Sequence, residues 1–199
     1  MSEPILKVIA GALLALVLGL AIFWTPKTPE RPLPKATVVA SHDFTLDSAN
    51  GPVSLKDYRG KLVLIYFGYT FCPDVCPTSL AATTAGLKRL TPAETAQVAM
   101  FFISVDPERD TPARLKEYAE FFHPNLVGLT GTPENLAAIA KAYGVFYAKQ
   151  QLDTAGGYVV DHSSDTYIVG SDGLLLGKIA HATPPDQVAA EIRKRLNPP

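Results

Sequence analysis

Residues 62–67, Leu-Val-Leu-Ile-Tyr-Phe, form an uninterrupted apolar stretch with no polar position to face water. A run this short, rich in β-branched and aromatic residues, predicts a strand buried on both faces. Gly68 ends it. From Pro77 the pattern becomes helical, with Leu80, Leu87 and Leu90 on roughly one face and Pro77 suited to a first-turn position. Ahead of this strand, Phe44, Leu46, Val53 and Leu55 alternate around Asn50-Gly51-Pro52, the signature of a hairpin. Residues 98–105 form a second apolar strand. Thr111 and Pro112 then read as N-cap and first residue of a helix reaching about Phe122.

Further along, residues 126–130 form a short strand, and Thr132-Pro133-Glu134 opens a helix that ends near Tyr143-Gly144. Residues 146–152 and 158–160 pair as a hairpin around Thr154-Ala-Gly-Gly157. Residues 166–169 and 174–180 form another around Ser171-Asp172-Gly173, and residues 185–196 close the chain as a helix. No internal repeat is present. Strands alternating with helices, followed by a hairpin and a helix, predict an α/β sandwich around a mixed central sheet.

Residues 5–24 are apolar except for Lys7, about the length of a bilayer-spanning helix, with Trp24 at an interfacial position. The run exceeds a signal-peptide core and lacks a small-x-small cleavage site, so residues 1–24 are expected to remain as a membrane anchor. Pro26, Pro29, Pro32 and Pro34 make residues 25–39 a stiff spacer, and the folded domain is expected over residues 40–199. Lys27, Arg31 and Lys35 follow the span, against only Lys7 and the terminal amine before it, so charge counting does not favour export. The thiol chemistry does, and it decides the expected orientation.

The 199 residues include two cysteines and four histidines and carry a net charge of −1 without a basic cluster, which argues against nucleic acid as a partner. Cys72 and Cys76, spaced Cys-x-x-x-Cys, lie where the central strand yields to a helix N-terminus. Helix N-termini favour thiolate over thiol, so this pair is set for redox chemistry or for metal. A disulfide that merely staples the turn is the structural alternative, although disulfides generally gain more by closing longer loops. Two cysteines exclude a four-cysteine zinc site.

A strand, a cysteine pair and a helix in this order make a thioredoxin-like framework. His42, His123 and His181 read as surface or capping residues. His162, in Asp161-His-Ser-Ser-Asp165 before the strand at 166–169, occupies the loop that faces the cysteine turn in such a framework. Two thiolates and an imidazole form a soft, incomplete donor set matched to copper and mismatched to magnesium or calcium.

Three segments, Gly68-Tyr-Thr-Phe-Cys-Pro-Asp-Val-Cys-Pro77, Ser104-Val-Asp-Pro-Glu-Arg-Asp-Thr-Pro112 and Tyr158-Val-Val-Asp-His-Ser163, together resemble the signature blocks of the SCO/SenC copper chaperones. The likeness covers about residues 40–197. It implies a thioredoxin-like domain facing the periplasm from a single-pass anchor in a bacterial inner membrane. It also implies Cu(I) or Cu(II) bound by Cys72, Cys76 and His162, and a part in assembling the CuA centre of cytochrome c oxidase. The oxidase subunit that carries CuA, other periplasmic copper carriers and thiol reductants are the partners implied. A thiol-disulfide oxidoreductase using Cys72 and Cys76 as its redox pair is the competing activity. A peroxidase fits less well, because Tyr69 stands where a peroxiredoxin has threonine. Asp74 and the loop from Asp106 to Pro112 match the family pattern, with no role assigned to them from sequence.

Overall fold

The structure is a computed structural model that describes residues 43–152 and 157–197. The expected anchor (1–24) and spacer (25–39), His42 and most of the turn at 154–157 lie outside the described residues. The chain divides into two units, Met1–Lys35 and Ala36–Pro199, and the description concerns the second. No helix among the described residues is long and apolar enough to cross a membrane.

The fold opens with the expected hairpin, β1 (Thr45–Ser48) paired antiparallel with β2 (Gly51–Ser54). Gly51 has φ 109°, a conformation that favours glycine. Leu55, expected in the second strand, instead begins a 3₁₀ turn, Leu55–Tyr58, and is fully buried there. β3 (Leu62–Gly68) is buried at every position. Its centrality explains why: it lies between parallel β4 (Val98–Ser104) and antiparallel β8 (Thr166–Val169). Each large apolar side chain buried there contributes roughly 1.5–3 kcal/mol. β5 (Leu126–Leu129) and β9 (Leu175–Ile179) complete the sheet, in the order β5-β4-β3-β8-β9. The mixed sheet and its helices form the expected thioredoxin-like α/β fold.

Helix α1 (Val75–Leu87) begins two residues before Pro77. Pro77 is its third residue, tolerated because first-turn N–H groups have no intrahelical acceptor in any case. A helix not anticipated from the apolar pattern, α2 (Pro92–Ala96), is held by a capping box between Thr91 and Glu94. α3 (Pro112–Phe122) and α4 (Pro133–Tyr143) start as expected, with Thr111 and Thr132 accepting from the N–H groups of Arg114 and Asn135 and a proline at N1. Gly144 ends α4 in the left-handed conformation. α5 (Pro185–Leu196) packs on α1. β6 (Tyr147–Gln151) and β7 (Tyr158–His162) form a ribbon separate from the main sheet. His162 is therefore the last residue of a strand, paired with Tyr147, rather than a loop residue as expected.

Candidate metal centre

The C-terminal end of β3 and the N-terminus of α1 position both cysteines. Cys72 lies in the loop between them, and Cys76 is the second residue of the helix. The backbone N–H of Cys76, free of intrahelical duty there, donates to Cys72 Sγ at 3.4 Å. Cys76 is completely buried and Cys72 is 9% exposed; both are free thiols. Gly68 makes room for this arrangement. A Cβ at that position would lie 2.6 Å from Cys76 Sγ.

His162 reaches the pair from β7, its Nε2 3.1 Å from Cys76 Sγ. Its Nδ1 lies 2.8 Å from the carbonyl oxygen of Ser163. A carbonyl only accepts, so Nδ1 carries the proton and donates, which leaves the Nε2 lone pair aimed at the sulfurs. The rings of Tyr66 and Tyr69 meet the imidazole edge-on, with centroids 6.1 Å and 5.8 Å away. Tyr69 also ties the two halves together, since its hydroxyl oxygen accepts from the Val160 N–H at 3.2 Å. All three donor atoms lie within 4.8 Å of one another. Metal bonds of about 2.0–2.3 Å to sulfur and nitrogen require donors roughly 3.5–4 Å apart in a trigonal set, so small side-chain rotations suffice. The residues fit a soft metal.

The two sulfurs differ electrostatically. Hydrogen bonding from the Cys76 side chain, aided by the N–H groups of Asp74 and Cys76, outweighs desolvation and lowers the Cys72 pKa to about 4. Burial pushes the Cys76 thiol well above its ordinary value, and the negative Cys72 beside it pushes it further. One proton thus stays on Cys76 while Cys72 is a thiolate at neutral pH. Such a pair can start thiol exchange at Cys72 and resolve it from Cys76, or bind a metal with loss of the Cys76 proton.

Beneath the site, the loop from Asp106 to Pro112 does more than cap α3. Buried Asp110 accepts from Ser104 Oγ at 2.7 Å, from Thr70 Oγ1 at 2.6 Å and from the Thr70 N–H, fixing the chain two residues before Cys72. Asp106, also buried, accepts from the Tyr158 hydroxyl at 2.7 Å and pairs with Arg109 Nε. Arg109 Nη1 donates to the Tyr158 carbonyl at 3.0 Å, and its guanidinium carbon lies 3.7 Å from the Tyr158 ring centroid, 4.8 Å from that of Phe71 and 5.5 Å from that of Tyr69. Arg109 therefore joins the loop leading to Cys72 with the strand that ends at His162. No local signal announces this, because Tyr158 lies 49 residues from Arg109.

Asp74, His123 and His181, assigned no metal role from sequence, lie outside the donor set. Asp74 precedes α1 without capping it, and its carboxylate accepts from Thr78 Oγ1 at 3.2 Å. His123 is the C-cap of α3, with Nδ1 accepting from the Asn125 N–H, and burial lowers its pKa. Exposed His181 lies with Nδ1 2.7 Å from Ser79 Oγ.

The SCO1/SenC family profile matches residues 34–197. Over 185 residues the chain is 37% identical to the SCO2-like protein of Rickettsia felis, a match covering 88% of this chain and 90% of that protein. It is 38% identical over 165 residues to the mitochondrial SCO2 homolog of Bos taurus, covering 81% of this chain but only 62% of the bovine protein. Among solved structures it is similar to Bradyrhizobium japonicum ScoI with copper bound, with a TM-score of 0.71 and 39% identity, covering 77% of this chain and 97% of that one. It is also similar to BsSco, described as having a disulfide switch and as a member of the Sco family of cytochrome c oxidase assembly proteins, with a TM-score of 0.63 and 28% identity, covering 82% and 96%. With the cysteine turn, the histidine-bearing strand and the loop that braces them all inside the matched span, this chain belongs to the SCO1/SenC family.

Proposed function

We propose that this protein is a copper metallochaperone that holds copper between Cys72, Cys76 and His162 and delivers it to the CuA centre during assembly of cytochrome c oxidase. The observation that carries the reading is the meeting of two thiols and a correctly oriented Nε2 within 4.8 Å. Copper is the cargo here. The Cys72 thiolate makes first contact, Cys76 follows as its proton leaves, and His162 Nε2 completes the set. Two thiolates suit Cu(I), and the imidazole widens the site to Cu(II). Three donors leave room for a partner's ligand to enter, so cargo is handed over by ligand exchange. In this reading residues 1–24 anchor the chain in a bacterial inner membrane, residues 25–39 act as a spacer, and residues 40–199 work in the periplasm. The copper-bound ScoI relative supports the cargo assignment.

The contrast between the two sulfurs supports a second activity. Cys72 would attack a disulfide on an apo copper site and form a mixed disulfide. Cys76 would then close the Cys72–Cys76 disulfide and release the partner as a dithiol, with two electrons transferred. One experiment separates the two roles. Copper-loaded protein is mixed with the reduced apo CuA domain, and copper-free reduced protein with the oxidised domain. The chaperone reading predicts that thiolate-to-copper absorption moves to the domain in the first mixture. Thiol formation in the second mixture alone, without copper transfer in the first, would assign the protein to reduction.

A further inference from the structure

Cys76 is fully buried and Cys72 nearly so, so a partner protein approaching them first meets the side chains that surround them. Among the described residues four large apolar side chains are exposed, and two of them adjoin the site. Phe71, 45% exposed, directly precedes Cys72. Phe146, 64% exposed, exchanges backbone and side-chain bonds with Ser163, its N–H donating to Ser163 Oγ at 3.0 Å and its carbonyl accepting from the Ser163 N–H at 2.9 Å, beside His162.

The charge next to Phe71 is also unbalanced. The guanidinium carbon of exposed Arg114 lies 4.2 Å from the Phe71 ring centroid, and its Nε donates to Thr70 Oγ1 at 3.0 Å. Every other arginine among the described residues has a carboxylate partner: Arg59 with Asp43, Arg89 with Asp186, Arg109 with Asp106, Arg193 with Glu94 and Arg195 with Glu191. Arg114 has none. An aromatic anchor with an unpaired guanidinium, placed at the entrance to a nearly buried donor pair, has the composition of an interface core with a charged rim.

We infer that Phe71, Phe146 and Arg114 form the docking face for a partner protein whose own metal-binding loop is apolar and bordered by carboxylates, one of which pairs with Arg114. This rests on the chaperone reading for the identity of the partner, the CuA domain. Phe71 and Phe146 fill apolar hollows on either side of the partner's ligands. The Arg114 ion pair sets orientation and speeds encounter.

The test uses the full chain in detergent micelles and the CuA domain as probe, with three readouts: association of the copper-free proteins by fluorescence anisotropy, the rate of copper transfer, and the rate of copper removal by a small chelator. Phe146→Ser is expected to weaken association about tenfold, as loss of an interface anchor does. Arg114→Glu is expected to weaken it at least tenfold at low salt, with the difference shrinking at high salt. Removal by the chelator stays unchanged in both variants. Unaltered association in both variants overturns the docking face, and so does an equal slowing of chelator removal, which would place these residues within the site instead. Association without copper transfer, weakened by Arg114→Glu, upholds the face while rejecting the chaperone reading. Absence of association even with the unaltered chain rejects the face for this partner. Self-association of the chain that Phe146→Ser abolishes would assign the surface to a second copy and overturn the inference.

Discussion

Replacing Gly68 by alanine tests whether the geometry at the end of β3 governs the site. The added Cβ would lie 2.6 Å from Cys76 Sγ and 3.0 Å from both Phe102 Cε2 and Tyr66 Cε1. Ordinary contact needs about 3.5–4.0 Å, so the sulfur has to retreat by about 1 Å. It has little space to do so, because Cys76, Tyr66 and Phe102 are all completely buried. One extra carbon in a filled core costs about 1–3 kcal/mol. At about 2–4 °C per kcal/mol for a chain of this size, the melting temperature of the reduced, copper-free protein should fall by roughly 2–12 °C. A donor moved by about 1 Å cannot keep both its bond and its neighbours, so Cu(II) affinity should fall at least about tenfold, or roughly 1.4 kcal/mol. Thermal unfolding followed by circular dichroism and competition titration against a chelator of known affinity read the two effects. The double variant isolates the cause. In a Cys76→Ala background the nearest clash is gone, and Gly68→Ala should cost distinctly less than in the native background. Equal costs in the two backgrounds, or native affinity in the single variant, would refute the argument.

Arg109→Gln removes the clamp between the Cys72 loop and β7 and leaves buried Asp106 without its cation, so stability should drop by roughly 3 kcal/mol and the EPR spectrum of bound Cu(II) should change as His162 loosens. A native EPR spectrum would show that Arg109 does not position His162. Asp110→Ala strands the Thr70 N–H and hydroxyl and the Ser104 hydroxyl, and urea unfolding should register a loss of roughly 2–4 kcal/mol, less for Asp110→Asn. Alkylation of Cys72 by iodoacetamide should be nearly independent of pH from neutrality down to about pH 5 and should fall through pH 4, whereas an ordinary thiol loses reactivity below about pH 8.5. Since the folded value lies below the unfolded one, the unfolded chain binds more protons between them. The contribution of Cys72 to stability therefore grows with pH across that window and is lost as pH falls through 4. An alkylation profile centred near pH 8.5 would contradict this.

What the sequence disclosed was mostly local. The buried strand at 62–68 stands out because no polar residue interrupts it, and the helix starts at Thr111 and Thr132 announce themselves by cap and proline. The short helix Pro92–Ala96 carries its capping box in plain view but is too short to show apolar periodicity. The start of α1 was displaced because Pro77 suits several first-turn positions equally. Leu55 fits the alternation of a strand yet turns away, since its burial is satisfied equally well from a 3₁₀ turn. At the site, the cysteine pair is legible from spacing, whereas the orientation of His162 depends on pairing with Tyr147 and on its bond to Ser163, which spacing does not encode. The loop from Asp106 to Pro112 was legible only as a cap, because its contacts with Thr70 and Tyr158 span 40 and 52 residues.

The most direct test of the account is Cu(II) titration of the reduced unit Ala36–Pro199, read by absorption and EPR, with Cys72→Ala, Cys76→Ala and His162→Ala in parallel. The account predicts one equivalent bound with thiolate-to-copper charge-transfer bands, removed or altered by each substitution. It also predicts that His162→Ala weakens Cu(II) binding far more than it slows thiol-disulfide exchange. Oxidation of the thiols without a stable complex, together with weak Cu(I) binding, would contradict the central claim and leave the protein as a reductase on this scaffold.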